Sequence, residues 1–222
     1  MSVILSTLNS KYIHTNLAIR YLKANAKDFD ITLKEYTLKD SLDNILNNLL
    51  SMRPKIIGFS VYIWNVEKTL QLINLLKEKD PTLTIIMGGP EVSYDFDVWF
   101  SRSSVDYIIY GEGELSFKEL MEYLHGRRDL ADVRGIVYRN LLTKELVQNP
   151  PAPILDPKEI QSPFYFEEDI PLLPTRIQYI ETSRGCPYSC QYCLASVDNK
   201  VRYFDIEKVK DEIRYLMSHG AK

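Results

Sequence analysis

The chain opens on a repeating pattern: a short apolar run, then a longer stretch whose apolar residues recur every three or four positions. "SVILSTL" (2–8) is apolar and β-branched, and "TNLAIRYLKANAKD" (15–28) sets Leu17, Tyr21 and Ala24 on one helical face. "DITLKEYTL" (30–38) alternates and predicts a strand nearer a sheet edge. "KIIGFSVY" (55–62) and "LTIIMGGP" (83–90) are unbroken apolar runs, as in strands covered on both faces. Helical spacing returns in "SLDNILNNLLSM" (41–52) and "VEKTLQLINLLKEKD" (66–80), and a short helix is predicted over 93–102. "VDYIIYGEGE" (105–114) and "LSFKELMEYLHG" (115–126) close the series as strand and helix. Thr15 or Asn16 and Ser41 are placed as N-caps, Pro54 breaks the second helix, and Gly126 ends the last one.

Strands alternating with helices over short connections predict an α/β fold: a doubly wound, flavodoxin/Rossmann-like sheet of five parallel strands. Crossover handedness then puts a ligand beyond the carboxyl ends of the strands. Those ends carry Asn9, Ser10 and His14; Ser60, Tyr62 and Trp64; Gly88, Gly89, Pro90 and Glu91; and Gly111, Glu112 and Gly113. Glycine and serine there let a large flat ligand approach the backbone. Plainer readings stand beside this one. "GGP" is also a tight turn, Glu112 and Glu114 also suit a helix N-terminus electrostatically, and Tyr62 and Trp64 also serve as a roof over the sheet.

Past residue 128 the pattern changes. Residues 133–150 read as a small hairpin appended to that domain, and seven of the eleven prolines fall between 150 and 174. Such a stretch forms neither a regular helix nor a central strand, and reads as a connector packed through Phe164, Tyr165 and Phe166. "RIQYIETS" (176–183) predicts a new strand. A helix over 204–222 follows, with Asp205 as its cap and Ile206, Val209, Ile213 and Leu216 on one face. The expected units are therefore 1–128, 129–150, 151–175 and 176–222. One strand–loop–helix unit cannot cover its own two faces, so the expectation is the N-terminal part of a longer protein, cut inside its second domain.

Composition narrows the function classes. With 45% apolar and 26% charged residues in 222, a core of normal size is available. The net charge of −3 supplies no basic surplus for phosphate-driven nucleic-acid binding. No apolar run approaches the ~18 residues of a membrane span, and the N-terminus lacks the pattern of a secretory leader. These features predict a cytoplasmic protein with no nucleic-acid or membrane partner.

All the cysteines, Cys186, Cys190 and Cys193, lie in "ETSRGCPYSCQYCLAS" (181–196), spaced C-x3-C-x2-C. Structural zinc needs four ligands, and His14, His125 and His219 are distant in sequence; only His219 on a folded-back helix would complete such a site. A redox pair or inert thiols are further readings. A [4Fe-4S] cluster fits better: three protein thiolates leave one iron open to an exogenous chelator.

The spacing, with Tyr192 before the last cysteine, resembles the radical S-adenosylmethionine superfamily. Taken with "MGGPEVSYDF", "VDYIIYGEGELSFKELMEYL" and the proline-rich segment, the whole chain resembles the cobalamin-binding class of these proteins. That class includes methyltransferases, ring-forming enzymes and the anaerobic magnesium-protoporphyrin monomethyl ester cyclase. The resemblance implies that residues 176–222 open a partial TIM barrel and that Cys186, Cys190 and Cys193 hold the cluster. It implies that S-adenosylmethionine chelates the open iron, with Tyr192 against its adenine, and that cleavage yields an adenosyl radical. Arg184 and Gly185 would shape the turn before the cluster, and the four strand-end loops would hold cobalamin. Many such domains carry D-x-H-x-x-G, whose histidine ligates cobalt; here "LNSKYIHTN" keeps His14 but lacks the aspartate and glycine. The implied activity is methyl transfer or anaerobic ring closure on a small molecule, fed by a reductant such as flavodoxin or ferredoxin. A tRNA methylthiotransferase is disfavoured, because its second cluster needs cysteines that residues 1–185 lack. A non-catalytic cobalamin module, or a radical enzyme whose first domain no longer binds cobalamin, are the alternatives.

Overall fold

A computed structural model of the chain describes residues 1–194 and 200–221. Among these, seven strands form one sheet in the order β2-β1-β3-β4-β5-β6-β7. Strands β1 (Val3–Asn9), β2 (Ile31–Thr37), β3 (Ile56–Ser60), β4 (Thr84–Gly88) and β5 (Tyr107–Ile109) are parallel. They have the 2-1-3-4-5 order of flavodoxin-like sheets. The expected hairpin is β6 (Ile136–Arg139) and β7 (Leu146–Gln148). It continues the same sheet antiparallel to β5, with Val137 opposite Ile108. An unpaired β5 would otherwise expose its backbone groups along a sheet edge.

Alternation along β1 builds two cores. Val3 and Leu5 pack with Ile19 of α1 (Leu17–Asn25) and with Phe117 and Leu120 of α5 (Gly113–Leu124). Ile4 and Leu8 point to the opposite face, with Ile45 and Leu49 of α2 (Leu42–Ser51) and Ile73 of α3 (Val66–Lys79). Trp99 and Phe100 of α4 (Phe96–Arg102) close that second core. The caps follow the sequence: the Asn16 side chain accepts from the Ile19 N–H at 3.0 Å, and Ser41 from Asn44 at 3.3 Å. Gly126 takes φ +73° just past α5.

The connector packs as expected through Phe164, which is buried, whereas Tyr165 is exposed and Phe166 half-buried beneath Lys23. Residues Glu167–Thr175 wind into 3-10 turns in spite of Pro171 and Pro174. Proline's fixed φ suits that geometry even where it bars an α-helix. The strand predicted over 176–183 does not form as a unit. A strand exists only through a ladder, and here only Ile177 bridges to His14, before β8 (Ser183–Arg184) pairs antiparallel with β9 (Arg202–Tyr203).

Helix α6 (Ile206–Ser218) starts at Asp205, which accepts from Glu207 and Lys208. Lys222, where the predicted helix ended, lies outside the described residues. The buried face is Val209, Glu212 and Leu216, whereas Ile206 and Ile213 are exposed. Tyr21 and Phe204 cover Val209, and Glu212, only 3% exposed, comes inward with it. Burial pushes the Glu212 carboxyl above its ordinary range, with Ser162 and Lys208 offsetting part of the effect. An acid whose folded pKa is raised penalises the native state once pH exceeds its unfolded value of about 4.3. Glu212→Gln is therefore expected to stabilise the fold by about 1 kcal/mol at pH 7. Urea unfolding at pH 7 and near pH 4 should show the gain at the former and its disappearance at the latter.

Candidate cofactor cleft and cysteine loop

A cleft of about 1240 Å³ opens at the carboxyl ends of β1, β3, β4 and β5, beyond the usual ~300–1,000 Å³ of drug-sized sites. It reaches down between the sheet and helices α1 and α5. Leu5, Gly58 and Ile86 are register partners across β1, β3 and β4 and form its floor. Ile19 and Leu22 from α1 and Phe117 from α5 supply the other wall. A Cβ at position 58 would lie 2.7 Å from Leu5 Cδ2, so glycine makes room for the Leu5 side chain on this floor. An isolated glycine inside the apolar run "KIIGFSVY" was the signal for that close approach.

The strand-end residues predicted from sequence come together around the mouth. Asn9, Ser10 and His14 follow β1, and Ser60, Tyr62 and Trp64 follow β3. Gly88, Gly89 and Pro90 follow β4, and Gly111, Glu112 and Gly113 follow β5. Glu91 stands in the 3-10 turn Pro90–Val92 and is not among the lining residues. The Tyr62 and Trp64 rings stack at 4.5 Å and 5°, with Trp64 51% exposed, so a flat apolar surface faces outward. Asn65, at the end of the same strand-end loop, ties the switch point together: its buried amide donates to the carbonyls of Leu8 at 3.1 Å and Ser60 at 3.2 Å.

His14 Nδ1 lies 2.5 Å from the Tyr179 hydroxyl, and its carbonyl accepts from the Asn9 amide at 2.9 Å. Tyr179 therefore holds the imidazole in one orientation. Behind the loop lies a buried ion network that sequence reading missed. Arg20 Nε and Nη2 bind Asp169 bidentately at 2.7 and 2.8 Å, and Nη2 also reaches Glu35 at 3.0 Å. Arg176 Nη1 donates to the same Glu35 oxygen at 2.6 Å, while the Asn16 N–H and the Asn9 amide donate to the other. Burial alone would raise the Glu35 pKa. The Arg20 guanidinium and the Asn16 and Asn9 donors outweigh it and hold the carboxyl below its ordinary value. The network joins α1 and β2 to the connector and fixes Asn9 and Asn16, which both line the cleft.

The cysteine loop starts beside this cleft. Arg184 and Gly185 border it, Gly185 turning at φ +84°. Cys186 is half-buried; Cys190 and Cys193 are exposed, with the Cys193 N–H donating to the Cys190 carbonyl at 3.1 Å. Tyr192 is 93% exposed and not among the cleft-lining residues. Among the described residues no three His, Cys, Asp or Glu side chains are gathered as for a metal ion. His219 and His125 stay on their own helix ends, each Nδ1 at 2.8 Å from a carbonyl four residues back. The soft donors available here are the three cysteine sulfurs of this loop, which are not drawn together as a set of three in this structure.

Residues 4–121 match the B12 binding domain family. The chain is 32% identical over 182 residues to the 2-(S-pantetheinyl)-carbapenam-3-carboxylate methyltransferase of Streptantibioticus cattleyicolor, covering 76% of this chain and 26% of that protein. It is 30% identical to the cobalamin-dependent radical SAM methyltransferase TokK of Streptomyces tokunonensis (77% of this chain, 27% of TokK). It is 29% identical to the anaerobic magnesium-protoporphyrin IX monomethyl ester cyclase of Synechocystis sp. (68% and 32%). The cobalamin-dependent S-adenosylmethionine radical enzyme OxsB, solved with aqua-cobalamin and S-adenosylmethionine, superposes over 99% of this chain and 32% of OxsB, with TM-score 0.79 at 23% identity. That likeness shows the same fold.

The flavodoxin-like 2-1-3-4-5 sheet and the family match over residues 4–121 together make this a B12-type α/β domain. The chain belongs to the B12-binding domain family, in the class found in cobalamin-binding radical S-adenosylmethionine proteins. It spans about a quarter to a third of the length of these curated relatives. No helix among the described residues is long and apolar enough to cross a membrane.

Proposed function

We propose that the cleft holds cobalamin, that Cys186, Cys190 and Cys193 hold a [4Fe-4S] cluster with bound S-adenosylmethionine, and that the whole protein transfers a methyl group to a small molecule. The observation that carries this reading is the glycine-floored slot at the β1/β3 switch point of a B12-family sheet. Its volume of about 1240 Å³, with lining that runs from Leu5 on the sheet to Trp64 after β3, leaves room for a bulky cofactor. When bound, cobalamin supplies a methyl carrier, and the cluster supplies reductive cleavage of the sulfonium.

The chain's own residues position these groups. Leu5, Ile86 and Phe117 give the slot apolar walls that exclude water. Glu35 fixes Asn9 and Asn16 at the rim, and the Tyr62–Trp64 stack offers a flat platform. His14, oriented through Nδ1 by Tyr179, presents Nε2 as the candidate cobalt ligand. Electrons for the cluster come from a small carrier of the flavodoxin or ferredoxin kind. Methyl transfer is preferred because the relatives of 30% identity or more described above are methyltransferases; the cyclase relative supports ring closure as the second reading.

Anaerobic titration with hydroxocobalamin is expected to give a stoichiometric complex that survives gel filtration, with shifted corrin bands. His14→Ala should change those bands if imidazole ligates cobalt, and leave them alone otherwise. Iron–sulfide reconstitution should add absorbance near ~400 nm, lost when the three cysteines are replaced by alanine. A chain that takes up neither corrin nor iron would falsify the assignment.

A further inference from the structure

Both ends of the cysteine loop are gripped by carboxylates that belong to the cofactor cleft. Arg184, in β8, sits two residues before Cys186. Its Nη2 donates to Glu114 at 2.6 Å and to Glu181 at 2.9 Å, and its Nη1 lies 3.7 Å from Glu112. Arg202, in β9 at the far end, donates to the other Glu112 oxygen at 2.5 Å and to the Leu155 carbonyl at 2.7 Å. The Arg184 guanidinium is also sandwiched near the Tyr21 and Phe204 rings, at 5.1 and 5.7 Å.

The helix-end reading of these acids does not account for them. Glu112 makes no capping bond to α5, and Glu114 is 5% exposed and turned to Arg184. The β8–β9 ladder spans only two residue pairs, too short to hold by itself. The ion pairs, in a partly dry site, therefore decide whether the loop's two ends stay together. Glu112, Gly113 and Glu114 line the cleft, as do Arg184 and Gly185. One short loop thus touches both whatever fills the cleft and what holds the first cysteine.

Building on the reading of cleft and thiolates as two cofactor sites, we infer that Glu112 and Glu114 are positioning residues for the cysteine loop, coupling occupancy of the cleft to the placement of the thiolates. The coupling runs through a contiguous chain of ion pairs. Removing the Glu112 charge loosens both ends of the loop directly, and removing the Glu114 charge loosens the Arg184 end and, through the two-pair β8–β9 ladder, the Arg202 end, while leaving the main sheet intact.

Amide exchange read by mass spectrometry tests this on the ligand-free chain. Glu112→Gln and Glu114→Gln, made singly, should speed exchange about tenfold in peptides covering 182–186 and 201–205, with β1 and β3 amides unchanged. Wild-type rates in both variants overturn the proposal. After iron–sulfide reconstitution, a ferrous chelator should strip iron from Glu112→Gln about tenfold faster than from wild type, as for other residues that orient metal ligands; equal rates count against it. The wild-type chain gives a variant-free test should either substitution disturb the sheet. Bound cyanocobalamin, followed by its own absorbance, should slow exchange in the same two peptides. Bound corrin with no change there overturns the coupling. Absence of corrin binding overturns the reading of the cleft instead, and the variants then decide the clamp.

Discussion

Glu35→Ala is expected to lower stability by ~3–5 kcal/mol, or roughly 10 °C in melting temperature for a chain of this size. Glu35 neutralises the Arg20 and Arg176 guanidiniums together, at 3.0 and 2.6 Å, with side chains only 4–8% exposed. Arg176 is already under-satisfied, since its buried Nε has no partner among the described residues. Without Glu35, Arg20 keeps Asp169, but Arg176 loses this carboxylate and stays buried. Breaking a buried pair by removing one partner leaves an uncompensated charge, which costs more than the pair itself gains. The pH dependence follows from the depressed Glu35 carboxyl. A folded pKa below the unfolded one gives stability that is fully present above about 4.3, the unfolded value, and is lost as pH falls through the folded value. Glu35→Gln should therefore trail wild type at pH 7 and converge with it in acid. Denaturant melts at the two pH values check this, and parallel curves would show that the charge of Glu35 is immaterial.

The contrast between this network and the cleft shows what a sequence exposes. The cleft was legible because its determinants are local. Apolar runs ending in glycine or serine mark strand ends, and topology then places them at one edge. Asn9, Ser60, Gly89 and Gly111 converge for that reason alone. The ion network was not legible, because Arg20 and Glu35 read as ordinary polar positions on a helix and an edge strand. Their partners Asp169 and Arg176 lie more than a hundred residues away, one inside the connector and one just past it, where no periodicity places them. Glu112 is legible as a strand-end residue, and Glu112 and Glu114 as helix-end charges, but neither as half of an ion pair. Their partners became visible only when Arg184 and Arg202 were brought across by β8 and β9. The hairpin and its attachment to the domain are legible, but not that it pairs with β5, since edge pairing is a tertiary choice. Helix α6 shows the converse: its apolar spacing was real, yet packing against Tyr21 and Phe164 selected a face rotated toward Glu212.

Gly89→Ala is expected to be the most damaging single substitution at the cleft, because backbone and space both oppose it. Gly89 holds φ +121° with ψ 170°, a region closed to residues with a Cβ. A Cβ there would lie 2.3 Å from the Val61 carbonyl oxygen and 3.0 Å from its nitrogen. These are backbone atoms, and Val61 is pinned by its own N–H bond to Gly88 at 2.8 Å, so no side chain can swing aside. Strain and overpacking together should cost ~3–5 kcal/mol. The β3 and β4 ends must also part, which moves Ser60 and Gly88 at the mouth. Corrin affinity should fall more than about tenfold even where the variant folds, since a shift near 1.4 kcal/mol suffices. Gly111→Ala separates the two causes. Gly111 has φ +74° and lies across the same mouth, but its added Cβ would meet no atom within 4 Å. It should cost only the left-handed backbone penalty, ~1–2 kcal/mol. If thermal melts find the two variants equally stable, the close approach of β4 to Val61 is not what holds the cleft in shape.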